Sequence, residues 1–405
     1  MKIRAVTVFT PLNWPFDLNA IQSACRFLIF AQSQLEAAGY QVQSLRLATP
    51  PFMDLLGDPD PKILLDFATS LETYTKQHGV TFNSIGPLMA TTPRSLLSPI
   101  YHLPEVIAAT ETIFCSVLVA SQQTGINLAA INATAQAIQT IAQTSPDGLG
   151  NLRFAMLANV PPRVPFFPGA YHDGSNFAFG LAVEAADLAV TALKEVKTLD
   201  QARKNLIDAL DQQAEPLQHV IEFLVDEHNM MFSGIDFSLA PFPEAEKSIG
   251  AAMEHLGVDA FGGYGTLFAT AFLSQAIRQS HLPLTGYSGV MLPVLEDSVL
   301  AQRAAEGSYT VNDLLLYSAV CSSGLDVIPL PGDTTLEQLT GLLLDVATLA
   351  VSLNKPLTAR LMPLPGLKAG DQTTFDLEYF TNTTVLPLKD QAGPAIFEKG
   401  LFYSF

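Results

Sequence analysis

The residues with chemistry to offer stand at the ends of apolar runs. In SAVCSSGLDVIPLPGD, residues 318–333, Asp326 precedes Val327-Ile328, after which Pro329, Pro331 and Gly332 bar a helix. This pattern predicts a strand with a sharp exit, a pocket-facing Asp326, and Asp333 as cap of a helix starting at Thr334. Glu296 and Asp297 close the run LTGYSGVMLPV. Adjacent side chains diverge at a strand end, so Glu296 is expected to face inward and Asp297 to cap the next helix from Ser298, with substrate contact as its other role. Asp236 and Ser238 share one face of a strand by its period of two. His172, in GAYHDG, follows a Pro-Gly turn and precedes Asp173, which suits an acid/base. Asp326, Glu296 and His172 are therefore the catalytic candidates, and Asp236, Ser238, Asp297, Ser322, Tyr171 and Arg360 the substrate-binding ones. Convergent carboxylates serve either general acid/base work or a hard divalent cation such as magnesium or calcium.

Other residue types offer less. Arg360, in the apolar strand TARLMP, can clamp an anion or pair with Asp326. Cys115 and Cys321 sit in apolar strands without a flanking base, which favours packing over nucleophilic catalysis. The glycines of FGGYGT lack the lysine of a phosphate loop, and no HExxH or HxH spacing points to zinc.

The elements that position these residues alternate. A strand at Ile3 to Thr10 leads through a Pro-rich turn to Asp17, an N-cap for a helix to about Ala38. Strands follow at 40–48, 80–88, 112–120 and 152–160, with helices at 61–79 and about 127–143. Residues 161–175, PPRVPFFPGAYHDGS, hold four prolines and several aromatics, so they form an irregular loop expected to pack over the mouth of the fold or a subunit interface. Residues 176 to about 229 read as helical. A second series follows: strand from Gly234, helix from about Pro243, strand 258–263, helix, and strand 284–294. TIFCSVLVAS and AVCSSGLDVIPLPG each precede a helix and a strand ending in proline, which suggests an internal duplication with halves of about 1–215 and 230–390 in one domain spanning 1–405.

Hydrophobic residues make up 48% and charged residues 15% at mean hydropathy +0.27, so many elements must be buried on both sides. Thirty-nine acidic against 21 basic residues give a net charge of -18, which argues against nucleic acid and anionic membranes as partners. No run reaches about 18 apolar residues, the N-terminal stretch lacks a signal-peptide core, and three scattered cysteines suggest no disulfide framework. A cytoplasmic protein is expected.

The boxes ETIFCSVLVAS, LANVPPRVPFFPGAYHDG, DFSLAPFPEAEKS, MLPVLEDS, AVCSSGLDVIPLPGD and NKPLTARLMPLPG occur in an order that resembles an uncharacterised prokaryotic family labelled "PFL family protein". The resemblance runs from about Ile3 to Pro387. It implies a ten-stranded α/β barrel of two five-stranded halves, like that of pyruvate formate-lyase, and brings no established reaction. Gly393 stands in QAGPA and Gly400 in EKGLF, neither within a glycyl-radical motif, so radical chemistry is not expected. The family's Gly-Asp pair is Glu246-Lys247 here, which withdraws an anion- or metal-binding role from that turn. Together these readings predict an enzyme acting on a small polar substrate by carboxylate acid/base catalysis, a hydrolase with glycoside hydrolysis as one form. The alternative is a non-catalytic protein that binds a small ligand or divalent metal, and a homodimer is a further expectation.

Overall fold

The structure is a computed structural model that describes residues 1–174, 176–390 and 402–404. Among these, ten strands form one sheet: β1 (Lys2–Phe9), β2 (Leu45–Ala48), β3 (Phe82–Met89), β4 (Ile113–Ser121), β5 (Gly125–Ile126), β6 (Phe154–Ala158), β7 (Ala178–Glu184), β8 (Met231–Asp236), β9 (Gly324–Pro331) and β10 (Leu357–Leu364). Their spatial order is β8-β7-β1-β2-β3-β4-β6-β10-β9, with β5 paired to β4. The run β1-β2-β3-β4-β6 is parallel throughout. β7 joins β1, and β10 joins β6, in antiparallel fashion, while β7–β8 and β9–β10 are parallel pairs. Helices connect the parallel strands, and one large apolar core lies between helices and sheet. Separate apolar clusters formed by Phe9, Phe114, Phe167 and Ala170, and by Leu118, Leu157, Phe166 and Tyr287, fill the sheet's other face.

Several expectations hold closely. Asp17 accepts from the Asn19 amide and caps the helix Leu18–Ala37, and the helix expected at about 127–143 is Leu128–Thr144, to which the structure adds Asn127 as its cap. The helix after each Cys-Ser segment also returns to a strand, as β4 to β6 and as β9 to β10, and these two units meet antiparallel at β6–β10. Cys115 lies within β4, whereas Cys321 precedes β9 by three residues.

Other expectations are corrected. The sheet path ends at β8 and β9 without a continuous ladder between them, so the closed ten-stranded barrel is not present in that form. Residues 284–293 lie between those ends but make only single bridges, Ile235↔Leu284 and Leu239↔Val290 to the β8 side and Pro293↔Asp326 to β9. The interruption has a cause: the amides of Tyr287 and Ser288 donate to the Asp236 carboxylate and are unavailable to a ladder. Gly286, at φ +66, is needed there because a Cβ would stand 2.7 Å from Asp236 Oδ2. Residues 178–184, read as helix, form β7, a strand buried along its whole length whose short apolar run carries no helical period. Residues 258–263 are turns instead of a strand, with Gly257 and Gly262 at positive φ. β9 continues through both prolines, which the last strand of the path tolerates, so Asp326 is interior to the strand and not at its exit. Thr335, with a capping box to Gln338, caps the helix Leu336–Ser352 in place of Asp333.

Residues 161–174 pack into the sheet. Phe166, Phe167 and Tyr171 are buried, and the Tyr171 hydroxyl donates to the Val160 carbonyl at 2.9 Å. Because those aromatics are covered within the chain, the loop offers no apolar face to a second subunit, and that ground for a homodimer falls away. Gly393, Gly400 and most of the EKGLFYSF tail lie outside the described residues. Among the described residues no helix is long and apolar enough to cross a membrane.

Candidate functional site

Three strands carry one arginine each amid apolar neighbours: Arg4 in β1, Arg46 in β2 and Arg360 in β10. Two of them are aimed by bulges. The β1–β7 register slips between Ile3 and Ala5, leaving Arg4 as the extra residue, and the β10–β9 register slips where Arg360 faces both Asp326 and Val327. Val327 adopts φ +44, which is rare for a β-branched residue and marks a locally constrained backbone beside the site. A bulge that turns a side chain inward is a common device at functional sites.

The inward groups form a chain of ion pairs, buried at Arg360, Asp326 and Glu296 and half-buried at Arg4. Arg360 Nε donates to Asp326 Oδ1 at 2.7 Å, and its terminal nitrogen reaches Glu296 Oε1 at 3.3 Å. Arg4 donates to the other oxygen, Glu296 Oε2, at 2.6 Å. Burial by itself would raise the Glu296 carboxyl, but Arg4 and Arg360 outweigh it and hold the group below the usual carboxylate range. Glu296 is thus an ionised bridge between two guanidiniums. Asp326 Oδ2 is buried and has no hydrogen-bond partner among the described residues.

Arg46 is placed differently. Its Nε donates to Ser44 Oγ at 2.9 Å, and the guanidinium lies 5.1 Å from the Phe82 ring centroid and 5.2 Å from that of Phe167. No carboxylate among the described residues pairs with it. Burial, followed by repulsion from Arg4 and Arg360, pushes it down to about 9. Glu184, the last residue of β7, is also buried and without a hydrogen-bonded or ion-paired partner among the described residues. Burial raises its carboxyl, against the opposing pull of Arg4, Lys2 and Lys247.

These groups enclose a cavity of about 250 Å³ lined by Arg4, Gln43, Arg46, Glu184, Glu296 and Arg360, with Phe82, Phe114, Phe167, Phe242 and Tyr379 as aromatic walls. Side chains from β1, β2, β3, β4, β7 and β10 meet around it, which requires the sheet to curl. A smaller space on the other side of Arg4 and Arg46 is bounded by Phe166, Asp236 and Ser238.

The sequence candidates divide accordingly. Glu296, Asp326 and Arg360 come together, with Asp236 and Ser238 behind them. Asp236 is bound by Ser238 Oγ at 2.5 Å and by two amides, and burial raises its carboxyl. His172 does not join the cavity lining. The Gly174 amide donates to its Nδ1 at 2.9 Å, which leaves Nε2–H to donate to the Asn176 carbonyl at 2.9 Å; neither nitrogen is free for proton transfer. Burial also lowers its basicity. Asp297 is a structural staple: it caps Ser298–Ala305 through the amides of Val299 and Leu300, and binds Ser248 Oγ and the Ile249 amide at the start of the helix Ile249–His255. Ser322 Oγ donates to the Val290 carbonyl at 2.7 Å and holds the 284–293 segment. Tyr171, tied to Val160, is likewise occupied. Burial pushes the Cys115 thiol up to about 12, far from thiolate character at neutral pH.

Arginines already engage Glu296 and Asp326, two of the carboxylates that a magnesium or calcium ion would call on. Among the described residues no three of His, Cys, Asp and Glu stand together as a metal site. Arg4, Arg46 and Glu184 are the residues that sequence reasoning missed. IRAV, LRLA and ARLM each place a lone arginine in an apolar strand, and the inference applied to Arg360 would have found the other two.

Fold and cavity together define an α/β protein with a small, charged, aromatic-walled cavity inside a curled sheet. The chain belongs to the family described as Uncharacterised ACR (DUF711), whose model matches residues 1–380. A UPF0210 protein of Pyrobaculum arsenaticum is 31% identical over 358 residues, covering 84% of this chain and 78% of its own. A UPF0210 protein of Listeria innocua is 27% identical over 395 residues, covering 94% and 87%. A solved structure, GH5_18 from Streptomyces cattleya in complex with GlcNAc, superposes over 79% of this chain and 66% of its own at 13% identity and a TM-score of only 0.19, too low to carry an argument.

Proposed function

We propose that the arginine-lined cavity is the working site of an enzyme that acts on a small polar substrate by carboxylate acid/base chemistry, with hydrolysis as the reaction class. The observation that carries this reading is the cost of the site. Two carboxylates and the guanidiniums of Arg46 and Arg360 are buried, and that of Arg4 half-buried, around an accessible cavity, and a packed apolar core would hold the fold as well or better. The acid/base role passes from Asp326 and Glu296, which arginines engage, to Glu184, which lines the cavity with a carboxyl that burial moves towards neutral pH. Glu296, Arg4 and Arg360 would then fix a substrate dipole, while the aromatic walls exclude water.

Glycoside hydrolysis, as one form of this chemistry, requires two working carboxyls; Glu184 would be one, and Asp236, which has no arginine ion pair among the described residues but is held by Ser238 and two amides in the adjoining space, would be the other. A barrel-like closure through residues 284–293 is part of the same proposal, supported by the six strands that meet at the cavity. The second reading, ligand binding without turnover, is favoured by the complete engagement of Glu296 by two arginines. The test is a screen of the purified protein against chromogenic glycosides, esters and amides, with Glu184→Gln as control. Turnover lost in the variant supports the enzyme. Turnover unaffected by the substitution places the chemistry elsewhere, and no turnover with any class favours the binding protein.

A further inference from the structure

Taking the cavity as the working site, the geometry points to its ligand: we infer that it takes a small organic monocarboxylate, its carboxylate on Arg46 and its apolar or aromatic body against Phe82, Phe114 and Phe167. The first ground is direct pairing. Arg4 and Arg360 are ion-paired to Glu296 and Asp326, whereas Arg46 makes no ion pair or hydrogen bond to a carboxylate among the described residues, and Glu184 and Glu296 share only the cavity lining with it. A buried guanidinium without a direct ionic partner is costly, and a ligand carboxylate would supply that partner. Phosphate esters fit less well, because a dianion would carry its second charge in among Glu184 and Glu296.

The second ground is geometric. Ser44 engages only Nε of Arg46, and the adjacent rings pack near the guanidinium, so its terminal N–H groups remain for a fork on a carboxylate. The third is shape. Phe82 and Phe114 stack at 5.4 Å between centroids, and Phe167 meets Phe114 edge-on at 5.3 Å, forming an angled apolar wall beside the cation. A cavity of about 250 Å³ lies below the ~300–1,000 Å³ usual for ligand pockets and suits a molecule of benzoate size.

The full chain can be titrated calorimetrically, and its melting followed, with benzoate, the neutral isostere benzamide, and phenyl phosphate. The expected result is that benzoate binds and raises the melting temperature, benzamide does neither, and phenyl phosphate binds at least about tenfold more weakly than benzoate. Arg46→Met should lose the benzoate response while melting no lower than the parent, since it removes an unpaired buried charge. Should that variant fail to fold, the three-ligand comparison on the unaltered protein decides by itself. Benzamide binding as tightly as benzoate, phenyl phosphate binding more tightly, or a folded protein indifferent to millimolar benzoate would each overturn the inference. Turnover abolished by Glu184→Gln alongside indifference to benzoate would sink this ligand class and leave the enzymic reading intact. Benzoate binding without turnover in any screen does the reverse.

Discussion

Glu296 and Glu184 are carboxylates of one cavity with opposite behaviour, because direct guanidinium partners outweigh burial at Glu296, whereas at Glu184 burial outweighs the more distant pull of Arg4, Lys2 and Lys247. Removing the charge of Glu296 strands Arg4 and Arg360, so Glu296→Gln should cost about 3–5 kcal/mol in chemical denaturation at neutral pH. Its folded-state carboxyl is held low, so this stability is fully present above the unfolded value of about 4.3 and is lost as pH falls through the folded value. The gap between parent and variant should therefore stay constant above that pH and close below it. Glu184 has the reverse sign. Its folded-state carboxyl is raised, so its contribution is present at acid pH and lost as pH rises through the folded value. Glu184→Gln should then be the more stable protein at neutral pH while any turnover falls about 100-fold or more. A variant less stable than the parent at neutral pH would show that Glu184 has a structural partner after all.

At the scale of elements, single acidic residues decide how neighbouring pieces are joined. Asp297 serves the first turns of two helices with one carboxylate, and Asp297→Ala should cost about 2 kcal/mol or more by loss of both caps, read from denaturant midpoints. Asp236 acts similarly on a turn. Because its oxygens hold the amides of Tyr287 and Ser288, hydrogen exchange at those two amides should accelerate in Asp236→Ala more than at β1 or β4. Equal acceleration everywhere would mean that Asp236 contributes only to global stability. The proline-rich loop at 161–174 was legible as an irregular aromatic segment. Its destination inside the sheet was not, because a run of prolines excludes helix without saying what covers the rings.

For the whole molecule, a net charge of -18 makes self-repulsion a long-range term, while the ion pairs that matter to the cavity are buried or half-buried. Moderate sodium chloride should thus raise the melting temperature by screening surface repulsion and leave the Glu296→Gln difference nearly unchanged. A difference that shrinks with salt as strongly as an exposed pair would indicate that the cavity is open to solvent. The net negative surface also sharpens the contrast with the arginine cluster, where the cationic side chains lie on the inside.

Local rules made several features legible in the chain: the alternation of strands and helices, the cap at Asp17, the opposed roles of Glu296 and Asp297, and Asp326 as one of the two partners open to Arg360. Each follows from period, side-chain chemistry or nearest neighbours. Tertiary structure alone decided which charges stay unpaired. His172 looks reactive beside Asp173, yet its two nitrogens are taken by Gly174 and Asn176, and the folded path of the loop sets that contact. Arg46 looks like any strand arginine until β1, β3 and the 161–174 loop bring Arg4, Phe82 and Phe167 around it. Bulges at Arg4 and at Asp326-Val327 set the inward aim of those side chains, and a bulge depends on the register of the partner strand, which a single strand's sequence does not contain.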